Sequence, residues 1–115
     1  MNKQLIYIAG ALRADVPTYI SNLHRMIVYA EKVRRLGFAV YIPGLDLLQG
    51  LVMGDLSFND YFENSYEILK RCDAVFVVPG WENSEGTKKE LKEAQSKGIP
   101  IFYTIDELTF SLIEI

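Results

Sequence analysis

Hydrophobic positions along this chain of 115 residues change period in a regular order. LIYIAG (residues 5–10) is a short continuous apolar run closed by Gly10, the pattern of a strand buried on both faces. Over residues 19–36, Leu23, Ile27, Ala30 and Leu36 form one helical stripe with Arg25, Glu31, Lys32 and Arg35 off it, and Gly37 closes the helix. FAVYIP (38–43) predicts a second strand, stopped by Pro43. Residues 44–59 are rich in Gly, Leu and Asp without a sustained period, and read as a long mobile loop. A loop of that length in a compact domain is more often functional than idle. A helix is expected over 59–71, a strand at AVFVV (74–78), a helix over 84–97 and a strand at IPIFYT (99–104). The tail over 106–114 fits one short amphipathic helix with Leu108 and Leu112 inward.

Strands alternating with helices imply right-handed crossovers and a mostly parallel sheet covered on both faces. The expected architecture is α/β: a small doubly wound, Rossmann-like or flavodoxin-like, three-layer domain spanning residues 1–115. Its parallel sheet has four strands in the order 2-1-3-4, with strand three beside strand one. Ligands of such sheets bind at the carboxyl ends of the strands, where the chain order reverses. Those ends are AGALRA, PGLDLLQG and PGWENSEG.

Composition narrows the function classes. Half the residues are hydrophobic and 23% are charged, the profile of a folded domain. A net charge of −3 and a pI near 5.1 lack the basic excess of a polynucleotide binder. Cys72 is the one cysteine, so neither an intramolecular disulfide nor a Cys-rich zinc site is expected. The chain opens without a charged-then-apolar leader, and no apolar run approaches the roughly 20 residues that span a bilayer, so a cytoplasmic protein without a membrane partner is expected. Neither GxGxxG nor GxxxxGK[ST] occurs, which removes the usual warrants for dinucleotide binding and P-loop chemistry. The first strand ends in Ala9 and Gly10 rather than acidic residues, unlike a phospho-acceptor receiver domain. The single histidine, His24, reads as an ordinary surface or partly buried helix residue, and no metal or cofactor is expected.

What remains is a constellation of Tyr7, the loop from Gly10 to Arg13, and Ser84, Gly86 and Glu90 within PGWENSEGTKKELKEA (79–94). If Ser84 caps the helix, Glu90 lies one and a half turns in, with Thr87 and Ala94 on its side. The helix N-terminus and nearby Lys88 and Lys89 favour an ionised carboxylate, a candidate nucleophile. Gly86 leaves room for a flat or bulky group to approach the backbone, and N–H groups at the helix start suit a phosphate or sugar hydroxyl. On composition alone a plainer reading also holds: Ser84 a cap, Gly86 a turn and Glu90 a solvated residue within KKELKE.

Taken together, YIAGALR before a helix, GFAVYIP, CDAVFVVPGW and SEGTKKELKEA resemble the nucleoside 2-deoxyribosyltransferase superfamily. That superfamily includes the 2'-deoxynucleoside 5'-monophosphate N-glycosidases, and the likeness is to its small DUF4406-type branch. It covers roughly residues 5–101, and PGW…SxGxxxE is its most specific part. The resemblance implies that Glu90 attacks the anomeric carbon of a sugar, with Tyr7 hydrogen-bonding and positioning it. It implies further that Gly10 belongs to the substrate loop, that Ser84 and Gly86 lie on the sugar side, and that Arg13 lies near a 5'-phosphate. Relatives complete their sites across subunits, so a homodimer or higher homo-oligomer is implied, with LDLLQGLVMG (45–54) as lid or subunit contact. Trp81, flanked by Phe58, Tyr61 and Phe62, is the preferred residue for stacking on a base.

One departure qualifies the match. The superfamily commonly carries an Asp eight residues before the position of Asp73, where it helps protonate the departing base, and here that position is Ser65. Serine is no general acid near neutral pH, so either Asp60, Glu63 or Asp46 takes the role or the chemistry is weakened. Enzymes with both groups follow a retaining pattern of one nucleophilic carboxylate and one proton-handling group. GTKKE (86–90) also matches the second half of the PGGxGTxxE motif of phosphoribohydrolases, although Trp81 and an insertion break the first half. Two readings follow: an N-glycosidase or deoxyribosyltransferase acting on a small nucleoside or nucleotide, or a nucleotide-binding regulatory module that keeps the pocket without efficient catalysis.

Overall fold

A computed structural model describes residues 3–12, 15–54 and 58–112, those at 47–48, 50–51 and 58–61 by their backbone alone. The chain runs β1 (Leu5–Ala9), α1 (Val16–Arg35), β2 (Ala39–Tyr41), a 3-10 turn (Pro43–Leu45), α2 (Asp46–Met53), α3 (Phe58–Leu69), β3 (Ala74–Val77), α4 (Glu85–Ser96), β4 (Ile101–Phe102) and α5 (Ile105–Leu112). All strand pairings are parallel and the order is β2-β1-β3-β4, so the architecture read from the sequence is the one observed. No helix among the described residues is long and apolar enough to cross a membrane.

Alternation along β1 and β3 divides the interior in two. Ile6, Ile8, Ala74, Phe76 and Val78 pack against Met26, Ala30 and Val33 of α1 and Leu108 of α5. Tyr7, Ala9, Val75 and Val77 face the other way, onto Leu69 of α3 and Leu91 and Ala94 of α4. Both central strands are therefore apolar on both faces, which is why their sequences are continuous apolar runs rather than alternating ones.

Local chemistry moves several element boundaries. Helix α1 starts three residues earlier than its apolar stripe, because Asp15 caps it by accepting from the Thr18 amide at 3.1 Å and Pro17 sits in the first turn. Strand β4 keeps only two residues. Beyond them Thr104 accepts from the Glu107 amide at 3.1 Å while Glu107 accepts from the Tyr103 amide at 2.8 Å, a reciprocal cap that starts α5.

The expected loop over 44–59 is the main correction. It holds the 3-10 turn and helix α2. The segment is set by contacts distant in sequence: the Tyr19 hydroxyl donates to the Gly44 carbonyl at 2.8 Å, and a β-carbon at Gly44 would lie 2.7 Å from Leu23 and 3.0 Å from Leu12. No periodicity within the segment encodes those contacts.

Candidate functional site

Glu90 and Tyr7 meet between α4 and the central strand. Ser84 caps α4, its Oγ accepting from the Thr87 amide at 3.2 Å and from the Thr87 hydroxyl at 2.9 Å. Starting the helix at Glu85 turns Thr87, Glu90, Leu91 and Ala94 inward together. Tyr7, on the same side of the sheet, is fully buried, and its hydroxyl donates to Glu90 Oε2. Glu90 itself is only 6% exposed.

Burial decides the charge of this pair. Loss of hydration pushes the Glu90 carboxyl up to about 8, against the opposing pull of the Tyr7 hydrogen bond. The ionised carboxylate expected from the helix start is thus corrected to one that is mainly protonated at pH 7. Lys88 and Lys89 are both exposed, and Lys88 pairs with Glu85 at 3.7 Å rather than with Glu90. Glu90 also lies beyond the first turn, where the helix dipole is already weak. Tyr7 is raised well above the usual phenol value, by burial first and by the neighbouring Glu90 charge second.

A second carboxylate lies at the start of α2. Asp46 Oδ2 accepts from the Tyr41 hydroxyl at 2.8 Å and from Ser65 Oγ at 3.2 Å. Ser65 is buried, and its hydrogen bonding opposes the upward shifts of the Tyr7 and Tyr41 phenols. The Tyr7 and Tyr41 rings are 5.6 Å apart. Burial, and then Asp46, raise Tyr41; the same two causes push Tyr19 up to about 12. Of the three carboxylates considered in place of an Asp at 65, Asp46 is thus hydrogen-bonded to Ser65. Glu63 is exposed on α3, and the Asp60 side chain lies outside the described residues.

The remaining predicted positions divide. Arg13 lies outside the described residues. Gly10 is buried, and a β-carbon there would meet Val78 at 3.1 Å and Met26 at 3.4 Å, so its smallness serves packing on the α1 side. At Gly86 the room expected for a ligand is taken by Phe62, whose ring tip would stand 2.6 Å from a β-carbon. Phe62 in turn leans on Tyr66, with centroids 5.9 Å apart. Trp81 is half-buried beside Tyr103 at 5.7 Å, and its carbonyl accepts from the Ser84 amide at 2.8 Å. The Phe58 and Tyr61 side chains lie outside the described residues.

Tyr41 was missed by sequence reasoning, although a signal exists. Strands β1 and β2 both end in Y-I-x-G, Tyr7 to Gly10 and Tyr41 to Gly44, and the parallel register pairs Tyr7 with Tyr41. Aligning those two strings places two phenols side by side. Arg25 was also missed: its guanidinium lies 3.0 Å from where a β-carbon on Gly80 would stand, and Gly80 has φ +93°.

A family model described as "Domain of unknown function (DUF4406)" matches residues 4–103. Comparison with curated proteins gives no match.

Proposed function

The chain belongs to the DUF4406 family, and we propose that it is an N-glycosidase or deoxyribosyltransferase acting on a nucleoside or nucleoside 5'-monophosphate, with Glu90 as nucleophile. The observation that carries this reading is the buried Tyr7–Glu90 pair beside the start of α4. A carboxyl group held away from water against a buried phenol is arranged to meet something other than solvent. In the reaction, a Glu90 carboxylate oxygen bonds to the anomeric carbon while the bond from that carbon to the base nitrogen breaks, its electron pair leaving with the base. Tyr7 holds the carboxylate in line. Asp46 is the second carboxylate that manages protons, in the role implied for the absent Asp at 65. The glycosyl-enzyme is then released to water or to another base. Ser84 bounds the sugar side, Trp81 the base, and Gly10 and Arg13 the loop expected at a phosphate. Subunit contact through the α1 and α2 surfaces, where Val16, Ile20, Val52 and Met53 are exposed, completes the proposal.

The decisive experiment incubates the protein with deoxynucleosides and their 5'-monophosphates and separates free base by chromatography. Glu90→Gln should abolish base release yet keep nucleotide affinity within about tenfold, roughly 1.4 kcal/mol. Tyr7→Phe should slow release without abolishing it. Base release by Glu90→Gln at the unmodified rate rules out Glu90 as nucleophile.

A second reading has its own support: Ser65 where an Asp is expected, and a Glu90 that is mainly protonated at pH 7, both fit a nucleotide-binding module without efficient catalysis. Nucleotide binding without base release favours it, and gain of release in Ser65→Asp would tie the loss to that position.

A further inference from the structure

The sheet register sets two phenols side by side, and each holds a carboxyl of its own. Tyr7 and Tyr41 are partners in the parallel pairing of β1 with β2, so their side chains leave the sheet on the same face, with ring centroids 5.6 Å apart. The Tyr7 hydroxyl donates to Glu90 Oε2 of α4, and the Tyr41 hydroxyl donates to Asp46 Oδ2 of α2 at 2.8 Å. Adjacent strands of one sheet thus fix where both carboxyls stand, although the carboxyls come from different helices. Asp46 is held twice, because Ser65 Oγ of α3 donates to the same Oδ2 at 3.2 Å. A carboxyl oxygen offers two lone pairs, and two hydroxyl donors fill them. The proton that Asp46 carries in its acid form therefore sits on Oδ1, and the carboxylate left after its loss keeps both donors on Oδ2.

We propose that Tyr41 is the positioning residue for the departing base, as Tyr7 is for the nucleophile: it fixes Asp46 by Oδ2 so that Oδ1 delivers the proton. The inference rests on the reading of Glu90 as nucleophile and Asp46 as its proton-handling partner. In the first step a Glu90 oxygen bonds to the anomeric carbon, the bond from that carbon to the base nitrogen breaks, and its electron pair leaves with the base. Asp46 gives its Oδ1 proton to the base and is left as a carboxylate that the Tyr41 and Ser65 hydroxyls stabilise. The water or acceptor base that later takes the sugar from Glu90 returns a proton to Asp46, so the cycle closes without a further reactant. The two tyrosines are alike in place and unlike in task. Tyr7 acts on bond formation with any base, whereas Tyr41 acts where the base needs a proton to leave. A packing defect at Tyr41 would instead slow every substrate alike.

The test is single-turnover base release with protein in excess, which reads bond cleavage apart from release of the sugar. The substrates 2'-deoxyguanosine 5'-monophosphate and its 7-methyl derivative differ in their need for a proton, because the methylated base is already cationic and leaves neutral. Tyr41→Phe should lower the rate constant on the first about tenfold, as expected for one hydrogen bond to a charged group, with the half-saturating protein concentration within about twofold. On the 7-methyl substrate the loss should shrink below about twofold, whereas Tyr7→Phe should slow both substrates alike. In an Asp46→Asn background, Tyr41→Phe should cost less than about twofold more on whichever of the four common deoxynucleoside 5'-monophosphates the protein cleaves, because its effect runs through Asp46. Should Tyr41→Phe not fold, Ser65→Ala removes the other donor to Oδ2 and should show the same contrast between substrates, with Ser65→Thr restoring the rate. An equal loss on both substrates overturns the proposal, as does an unchanged rate in Tyr41→Phe or a loss that persists in full beside Asp46→Asn. Failure of the underlying reading looks different: the parent protein then releases no base, or Glu90→Gln releases it as fast as the parent, and this inference falls with it.

Discussion

Replacing Glu90 by Gln should stabilise the protein at neutral and alkaline pH, and the size of the effect follows from its burial. The carboxyl titrates near 8 when folded against an ordinary value of 4.5, so the folded state binds more protons than the unfolded one throughout that interval. Unfolding free energy therefore falls as pH rises from 4.5 to 8, and the native protein loses stability that it holds in full below 4.5. At 1.36 kcal/mol per unit, the loss is about 3 kcal/mol at pH 7 and approaches about 5 kcal/mol above pH 8. Glutamine has nearly the same shape, still accepts from Tyr7, and carries no charge to desolvate. Its amide N–H groups lack an assigned partner, which takes back about 1 kcal/mol. Urea unfolding at pH 5, 7 and 9 gives the comparison: the two proteins should be nearly equal at pH 5, and the variant should be ahead by about 2 kcal/mol at pH 7 and more at pH 9. Parallel pH profiles for the two proteins would refute the argument, because Glu90 would then be hydrated and ordinary.

Three further outcomes are expected. Gly86→Ala should destabilise by about 1 kcal/mol, because the Phe62 ring must move, and should become stabilising by up to about 1 kcal/mol in a Phe62→Leu background, where the better helix propensity of alanine is unmasked; chemical denaturation of the four proteins reads the cycle. Ser84→Ala removes the acceptor of the Thr87 amide and hydroxyl and should cost about 1–2 kcal/mol in the same assay, while Ser84→Asp should restore most of it. Light scattering at micromolar concentration should give a multiple of 13.1 kDa, and a clean monomer would count against the proposed subunit contact.

The alternation of apolar runs was enough to fix the sheet order, since β1 and β3 are central and their sequences carry no competing signal. The position of Glu90 beside Ala94 was equally legible, because a cap at Ser84 sets the phase of everything behind it. Its ionisation was not. Lys88 and Lys89 are neighbours in sequence but point to water, and desolvation depends on α3 and β1, which the local string does not contain. Helix α2 was hidden for a related reason: the contacts from Tyr19, Leu12 and Leu23 that set its approach come from other elements. The open space inferred at Gly86 failed because the absence of a side chain says nothing about which neighbour fills it, here Phe62.

Among the described residues, the buried polar side chains Ser65, Thr87 and Glu90 belong to α3 and α4, whereas the buried cluster under α1 and α5 is apolar. This asymmetry sets unequal mutational tolerance on the two sides of one sheet. Under α1, residues of similar volume can exchange with small losses, because shape is the main requirement. Under α3 and α4 a substitution must also preserve a donor or an acceptor for a specific partner, so single changes leave an unsatisfied group and paired changes are needed to drift. Sequence divergence in this domain should accumulate on one side of the sheet first, and the side that resists it is the one that holds Tyr7 and Glu90.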